Sequence, residues 1–284
     1  TVENIWAANG SNEVMQQLLQ LFGGPDKTLV AFDPTYSMYE DYCRNTFTKY
    51  LSVSRNEDFS IDQKVMDSAL ALNPDLIVIT SPNNPTGNLM NREDIYKILD
   101  TFKTGFIVID EAYIDFSEEP SFIQELYKFP QLIVLQTLSK AYGLASLRLG
   151  MAFANPTIIK LLNKIKPPYN IGGATQRLVQ KALSDSHFVT KSVKQLKVNK
   201  QQLIADLKHI NGVTTIFHSD ANFILVKFIR AQELFDYLIL KKIIARNRSN
   251  VELCNDSIRI TIGLESENKE LIQQIKIFYT KNDV

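Results

Sequence analysis

The stretch DLIVITSPNNPTG, residues 75–87, decides the fold of this 284-residue chain. Its run of apolar and β-branched residues shows no alternation with polar ones, and it leads directly into a turn rich in asparagine and proline. Such a run is typical of a strand that is buried on both faces, and the turn residues mark the point where that strand ends. The stretch therefore predicts an internal strand of a sheet that helices cover on both sides.

Four further apolar runs of the same kind occur between residues 29 and 154; they are LVAFD, GFIVIDEAY, QLIVLQTL and LGMAFA. Segments with helical periodicity separate several of them, including REDIYKILDTF (92–102) and PTIIKLLNKIK (156–166). An earlier helix is predicted where Val14, Leu18 and Phe22 share one face, before GGPD breaks the pattern. We therefore predict an α/β fold with a mostly parallel sheet and helices on both of its faces.

The pattern changes after KPPYN, residues 166–170. A long helical stretch rich in lysine and glutamine, at about 187–210, precedes two predicted strands, NFILVKF and IRITIG. The helices AQELFDYLIL and ENKELIQQIKIF lie between and after those strands. We therefore predict two domains, a large one at residues 1–185 and a smaller α+β domain at residues 186–284.

The composition argues against several classes of partner. The chain has 31 basic and 31 acidic residues and is 45% hydrophobic, so its zero net charge gives no general attraction to nucleic acid or to an anionic membrane. Its apolar runs are too short to span a bilayer, and no signal peptide is visible. Cys43 and Cys254 lie far apart, without the spacing of metal ligands, so we expect reduced thiols in a cytoplasmic protein. The three histidines likewise form no metal-binding pattern.

Polar residues gather at the ends of the predicted strands, where an open parallel sheet binds its ligands. Asp110 ends the run FIVID with Tyr113 close behind, and Lys140 follows LIVLQTLS. SPNNPTG follows DLIVIT, and NGSN (9–12) precedes the first helix, whose free N–H groups favour an anion. Each of these features has an ordinary explanation as a turn, a helix cap or a surface charge. A nucleotide-binding P-loop is excluded, because GGPDKT lacks the glycine before its lysine.

Taken together, these residues form the set that holds pyridoxal phosphate: a lysine for its aldehyde, an anion site for its phosphate, and a carboxylate that keeps its ring nitrogen protonated. With SPNNPTG, VIDEAYIDF, TLSKAYGLASLRLG, KPPYN and IRITIG in this order, the sequence resembles the histidinol-phosphate aminotransferases, a family of fold type I pyridoxal-phosphate enzymes. Ser146 stands where that family usually has glycine, and we expect only a packing adjustment there. The family begins with an arm that reaches the neighbouring subunit's cofactor. Since this sequence has no such segment, we expect a chain that lacks its natural N-terminal part.

The resemblance implies a role for each of these residues. Lys140 would bind the cofactor's aldehyde and then move the proton between the substrate and the cofactor. Asp110 would pair with the ring nitrogen. Tyr113 and Asn84 would hydrogen-bond the phenolic oxygen, and Tyr36 would stack on the ring. The residues that would bind the cofactor's phosphate are Gly10, Ser11, Asn12, Thr137, Ser139 and Arg148.

Two arginines in the C-terminal part, Arg246 and Arg259, are the candidate substrate ligands. Arg259 lies within an apolar strand pattern, so it needs an anionic partner, which could be a structural carboxylate or a bound substrate. The resemblance implies that both arginines bind the phosphate of histidinol phosphate, and that Arg259 also binds the carboxylate of glutamate.

The activity that the resemblance implies is amino transfer from glutamate to imidazole-acetol phosphate. The resemblance also implies that the protein is a homodimer and that it binds small-molecule substrates. Another class I/II aminotransferase with aromatic or broad specificity, or a phospho-amino-acid decarboxylase, would share the same lysine, aspartate and phosphate site. A non-catalytic regulatory module that binds pyridoxal phosphate is a further alternative, although neither a basic patch nor a helix-turn-helix pattern is visible in the sequence.

Overall fold

The computed structural model describes residues 1–281, and its larger part is built on seven strands. They are β1 (Ile5–Ala8), β2 (Thr28–Asp33), β3 (Lys49–Ser54), β4 (Leu76–Thr80), β5 (Phe106–Asp110), β6 (Leu132–Thr137) and β7 (Gly150–Ala154). They form one sheet in the order β1-β7-β6-β5-β4-β2-β3. The strands from β6 to β3 in this order are parallel, whereas β7 is antiparallel to β6 and to β1. The prediction of a mostly parallel sheet is therefore confirmed.

Helices cover both faces of this sheet, as the sequence predicted. They are α1 (Ser11–Phe22), α2 (Met38–Asn45), α3 (Gln63–Leu70), α4 (Arg92–Thr101), α5 (Pro156–Ile165) and α6 (Gly173–Leu183). Helices α1, α2 and α5 share one buried core with the sheet, and α3 and α4 share another. Neighbouring residues of β4 divide between the two, because Val78 belongs to the first core and Ile77 and Ile79 to the second. A strand buried in this way has no reason to alternate with polar residues.

The C-terminal part forms a second sheet with a core of its own. Its elements are α7 (Ser186–Leu207), β8 (Val213–Ile216), β9 (Phe223–Phe228), α8 (Ala231–Leu240), β10 (Arg246–Asn247), β11 (Ser257–Thr261) and α9 (Glu265–Lys281). The strands are antiparallel in the order β10-β11-β9-β8, and α7, α8 and α9 all pack into the same hydrophobic core with them. Helix α7 begins beside the proposed boundary between residues 185 and 186, which stays a prediction.

The elements that the sequence did not predict include the helices α3 and α6 and the strands β3, β8 and β10. Strand β3 is an edge strand with a partly exposed, alternating sequence, KYLSVS, so it has no continuous apolar run. Strand β10 spans only two residues, too few for a pattern. Within the described residues, no helix has both the length and the apolar character needed to cross a membrane.

The two parts of the chain meet beside the carboxyl ends of β4, β5 and β6. Phe223, at the start of β9, packs edge-on against Tyr113, with ring centroids 5.1 Å apart. Arg259 of β11 reaches Asn84 in the loop after β4 and donates a hydrogen bond of 2.5 Å to its side-chain oxygen. The polar residues that follow the parallel strands therefore lie at the junction of the two sheets, where ligand sites commonly form.

Candidate active site

A cavity of about 370 Å³ lies at this junction, and the predicted site residues line it, apart from Gly10. Thr80, Ala112 and Arg248 line it as well. The predicted residues that the structure brings together here are Ser11, Asn12, Tyr36, Asn84, Asp110, Tyr113, Thr137, Ser139, Lys140, Arg148, Arg246 and Arg259. The larger part of the chain supplies most of them, from α1 and from the ends of strands and the loops beyond, and the small sheet supplies the arginines of β10 and β11. A cavity with this many convergent polar groups is a candidate active site.

Asp110 is a buried carboxylate at the end of β5, with only 6% of its surface exposed. The Tyr39 hydroxyl donates to its Oδ2 at 2.8 Å, and the Ala112 backbone N–H donates to its Oδ1 at 3.0 Å. Burial raises the pKa of Asp110, while these two hydrogen bonds and the charge of Lys140 act in the opposite direction. A carboxylate held in this way suits a positively charged N–H partner in the cavity.

Lys140 lies in the turn after β6, with its Nζ 5.1 Å from the centre of the Tyr113 ring. Among the residues that the structure describes, no carboxylate forms an ion pair with this amine. Tyr113 itself is buried and is held edge-on by Phe223. The lysine side chain is exposed to the cavity, so its amine is available to a reactant.

A candidate anion site lies where the start of α1 meets the turn before β7. Gly10 caps the helix at a φ of +85°, and a Cβ at this position would clash with the guanidinium of Arg148. Within the described part of the chain, that guanidinium donates to the backbone oxygens of Ala145 and Asn9, at 3.0 and 3.5 Å. The hydroxyls of Thr137 and Ser139, linked at 2.9 Å, line the same cavity. A helix N-terminus, two hydroxyls and a guanidinium together suit a phosphate group.

The serine that departs from the family pattern lies close to this anion site. Ser146 is exposed within a short 3₁₀ turn, Ala145–Leu147, and its φ is outside the left-handed region. A residue other than glycine therefore fits there without backbone strain.

Tyr36 and Asn84 also line the cavity, on the side of the larger part. The Tyr36 ring packs edge-on against Tyr39, with centroids 5.6 Å apart, and its hydroxyl lies 3.5 Å from the side-chain oxygen of Asn12. Asn84 accepts the hydrogen bond from Arg259 through Oδ1, which fixes the orientation of its amide. The amide N–H₂ of Asn84 is then the group that can donate to a ligand.

Arg259 has an amide, not a carboxylate, as its side-chain hydrogen-bond partner. Its Nε is buried without a hydrogen bond in the described part of the chain. Burial lowers the pKa of Arg259, and the nearby charges of Arg248 and Arg246 lower it further. The alternative of a structural carboxylate therefore finds no support within residues 1–281, and the guanidinium is free to bind an anion from the cavity.

Two residues at the candidate site, Tyr39 and Arg248, were not predicted from the sequence. Tyr39 looked like an ordinary core residue of α2, and only the packing of that helix shows that its hydroxyl reaches Asp110. Arg248 follows Arg246 by two residues, but this spacing places both side chains on one face only in a strand, and β10 is too short to be recognised in the sequence. Among the described residues, no group of three or more histidine, cysteine, aspartate or glutamate side chains could hold a metal ion.

The chain matches a known protein family over nearly its whole length. The model of the family described as aminotransferase class I and II matches residues 1–275. A histidinol-phosphate aminotransferase from Parabacteroides distasonis is 42% identical over 275 residues, which cover 96% of this chain and 79% of the relative.

Two solved structures share the fold. One is the histidinol-phosphate aminotransferase from Clostridium acetobutylicum, with a TM-score of 0.91, 24% identity and coverage of 98% of this chain and 84% of that one. The other, from Sinorhizobium meliloti, is in complex with pyridoxal-5′-phosphate, with a TM-score of 0.88, 21% identity and coverage of 99% and 77%. On the family match and the identity to the curated relative, this chain belongs to the class I and II aminotransferases, which are pyridoxal-phosphate enzymes, and among them to the histidinol-phosphate aminotransferase family.

Proposed function

We propose that this protein transfers the amino group of glutamate to imidazole-acetol phosphate and so produces histidinol phosphate and 2-oxoglutarate in histidine biosynthesis. The observation that carries this proposal is a second anion-binding region in the cavity. The large part supplies one such region at α1 and Arg148, and the small part supplies another with the arginines of β10 and β11. A substrate with its own phosphate needs this second region in addition to the cofactor's.

The residues of the first region fit pyridoxal phosphate. The absence of a side chain at Gly10 leaves room for the Arg148 guanidinium, which has no carboxylate partner among the described residues. Arg148 and the start of α1 would hold the phosphate, and Asp110 would hold the ring nitrogen. Tyr113 and Asn84 would donate to the phenolic oxygen, and Lys140 would bind the aldehyde.

When bound, the cofactor supplies an electron sink for the negative charge that develops at the substrate carbon. The protein supplies the proton transfers and the fixed charges around that carbon. Asp110 would keep a proton on the ring nitrogen, because an ionised carboxylate in a buried site favours a protonated partner. Lys140 has an amine without an ion-pair partner in the described chain, so it can take the proton from the substrate carbon and return it.

The small part orients the substrate in both half-reactions. Arg259 would grip the phosphate of histidinol phosphate and, in the other half-reaction, a carboxylate of glutamate, with Arg246 assisting. A planar guanidinium can bind either oxyanion through two parallel hydrogen bonds. The hydrogen bond from Arg259 to Asn84 links this substrate-binding residue to a residue that would contact the cofactor.

We also propose that the enzyme acts as a homodimer in the cytoplasm. Support comes from four large apolar side chains that are exposed within a short stretch of the chain: Tyr169 (97%), Leu178 (50%), Leu183 (48%) and Phe188 (64%). These residues lie in α6, in the loop before it and at the start of α7, and a large exposed apolar surface is typical of a protein interface. Sedimentation of the holoenzyme tests the proposal, since a dimer that Leu178→Glu dissociates would support it and an active monomer would contradict it.

The substrate assignment is tested with a panel of amino donors in single turnovers, followed through the cofactor's own absorbance. We expect fast reaction with histidinol phosphate and with glutamate, and slower reaction with phenylalanine and tyrosine. Release of CO₂ from an O-phospho-amino acid would favour the decarboxylase alternative instead. A preference for aromatic donors over histidinol phosphate would favour an aromatic aminotransferase.

A further inference from the structure

The guanidinium groups of Arg246, Arg248 and Arg259 line the cavity on the side of the small sheet. The sequence predicted only Arg246 and Arg259 as substrate ligands. Arg246 in β10 is paired with Arg259 in β11, and the backbone N–H of Arg248 continues the ladder by donating to the oxygen of Ser257 at 2.8 Å. Residues two apart in a strand share a face, and so do directly paired residues. All three side chains accordingly line the same cavity.

Arg248 is poorly neutralised by the protein around it. Its guanidinium donates to the backbone oxygen of Asn247 at 3.3 Å. Within the described chain, no carboxylate forms an ion pair with Arg246, Arg248 or Arg259. Burial lowers the pKa of Arg248, and the charge of Arg246 adds to this effect. Three neighbouring cations without a carboxylate make a strongly positive region that favours an anion of more than one charge.

Arg248 and Arg246 differ in their exposure to solvent. Arg248 is half-buried, whereas Arg246 is exposed, so solvent screens the charge of Arg246 more strongly. A carboxylate offers two oxygens and one charge, which the planar fork of Arg259 can satisfy. A phosphate dianion offers three oxygens and nearly twice the charge, so a further buried guanidinium matters chiefly for the phosphate. Only one carboxylate of glutamate can occupy the position of that phosphate.

From this arrangement we propose that Arg248 is a specificity-determining residue, a third guanidinium that binds the substrate's phosphate and contributes little to the binding of a carboxylate. The inference rests on the proposed function, because it concerns the substrate of the same site.

The test compares Arg248→Gln and Arg248→Lys with the wild-type holoenzyme in single turnovers. For Arg248→Gln we expect the specificity constant for histidinol phosphate to fall by at least about tenfold, while that for glutamate stays within about threefold. Arg248→Lys should lie between the wild type and Arg248→Gln, because it keeps the charge and loses the fork. Arg44→Gln is the matched control, since it removes the same charge from an exposed ion pair with Glu40 and Asp41 on α2.

The pH profile provides a readout that a merely structural role would not change. The second ionisation of a phosphate monoester has a pKa of about 6, so the wild-type preference for histidinol phosphate over glutamate should rise as pH increases through that value. In Arg248→Gln this rise should be much smaller. Cofactor content is measured in each variant to establish that the fold and the first anion site are intact.

Equal losses with both substrates, or no loss with either, would overturn the role of Arg248 and leave the proposed function standing. An unchanged rise with pH in Arg248→Gln would also overturn it. A wild-type enzyme that reacts with glutamate and fails to react with histidinol phosphate would overturn the proposed function itself, and this inference with it. The wild-type assay therefore separates the two kinds of failure.

Discussion

The hydroxyl of Tyr39 donates a 2.8 Å hydrogen bond to Oδ2 of Asp110, in a place where neither side chain is more than 6% exposed. The same hydroxyl lies 3.0 Å from the Oγ1 of Thr80. Burial, followed by the charge of Asp110, raises the pKa of Tyr39 well above its usual value, so the phenol stays protonated and remains a donor. The buried carboxylate of β5 thus depends on a helix, α2, that contributes no other hydrogen bond to it.

Replacement of Tyr39 by phenylalanine should shift the acid limb of the half-reactions to higher pH. The hydrogen bond favours the ionised form of Asp110, so its loss should raise the pKa of that carboxyl further. A hydrogen bond to a charged group is worth about 1.5–3 kcal/mol, so the rate at acid pH should fall by about tenfold or more. Single-turnover rates measured across pH check this expectation. Tyr237→Phe, which removes a hydroxyl bonded to Gln274 in the small part, is the control, and a wild-type profile in Tyr39→Phe would contradict the role.

Asp110→Asn should have opposite effects on activity and on stability. The neutral amide cannot keep the ring nitrogen protonated, so we expect loss of most transamination with some cofactor still bound. Without cofactor, the folded-state pKa of Asp110 lies above the unfolded one, because burial raises it. The folded protein then binds the extra proton between the two pKa values, and stability falls as pH rises through this interval. Near neutral pH the variant without cofactor should therefore be more stable than the wild type in urea. Near-normal turnover, or a clear loss of stability at neutral pH, would contradict this account of Asp110.

The sequence predicted the fold where burial left a continuous signal. Strands such as β4 and β5 have side chains in both cores, so every position before the last is apolar and the run is recognisable. The edge strand β3 has no such signal, because its exposed face admits polar residues. The short strand β10 exists because it pairs with β11, which is a tertiary property that local sequence does not encode.

The site could be predicted where its residues directly follow recognisable strands, and not where their position depends on tertiary packing. Asp110 and Lys140 stand directly after apolar runs, and the rule that ligands bind beyond strand ends brings them together. Tyr39 required the packing of α2, because its place in an amphipathic helix is that of any core residue. Arg248 required the register of β10 against β11, since only pairing shows that its side chain shares a face with Arg259.

Borohydride reduction of the holoenzyme should leave a pyridoxyl group on the peptide that contains Lys140. This amine lines the cavity and has no ion-pair partner in the described chain, so it is the lysine placed to bind the cofactor's aldehyde. Peptide mapping by mass spectrometry identifies the labelled residue. Lys140→Ala should give no label, and Lys97→Ala, which removes an exposed lysine paired with Asp94, should leave labelling unchanged. A label on another lysine would disprove the assignment.

Gly10→Ala should weaken cofactor binding. A Cβ would clash with the Arg148 guanidinium, and a φ of +85° is strained for any residue other than glycine. Displacement of Arg148 removes a charge-assisted contact to phosphate worth about 1.5–3 kcal/mol, so the dissociation constant should rise by at least about tenfold. Equilibrium dialysis against pyridoxal phosphate provides the measurement. Gly172→Ala is the matched control, because that glycine has a φ of −61° and open space around it. Equal affinities in the two variants would contradict the anion site.

Arg259→Lys tests the model of substrate binding. The guanidinium donates to Asn84 at 2.5 Å and has a buried Nε without a partner in the described chain, so the side chain is held in place with donors left for an anion. Lysine keeps the charge but loses the planar fork and the bond to Asn84. The loss of a bidentate contact worth about 1.5–3 kcal/mol should slow both half-reactions by at least about tenfold.

The same variant should bind the cofactor almost as tightly as the wild type, because Arg148 and the start of α1 hold its phosphate on the other part of the chain. Single-turnover rates with glutamate and with histidinol phosphate, each read from the cofactor's absorbance, provide the comparison. Rates at the wild-type level with both substrates would mean that Arg259 serves only to orient Asn84. A loss confined to glutamate would mean that the phosphate binds elsewhere, and a decarboxylase or another aminotransferase would then be the better assignment.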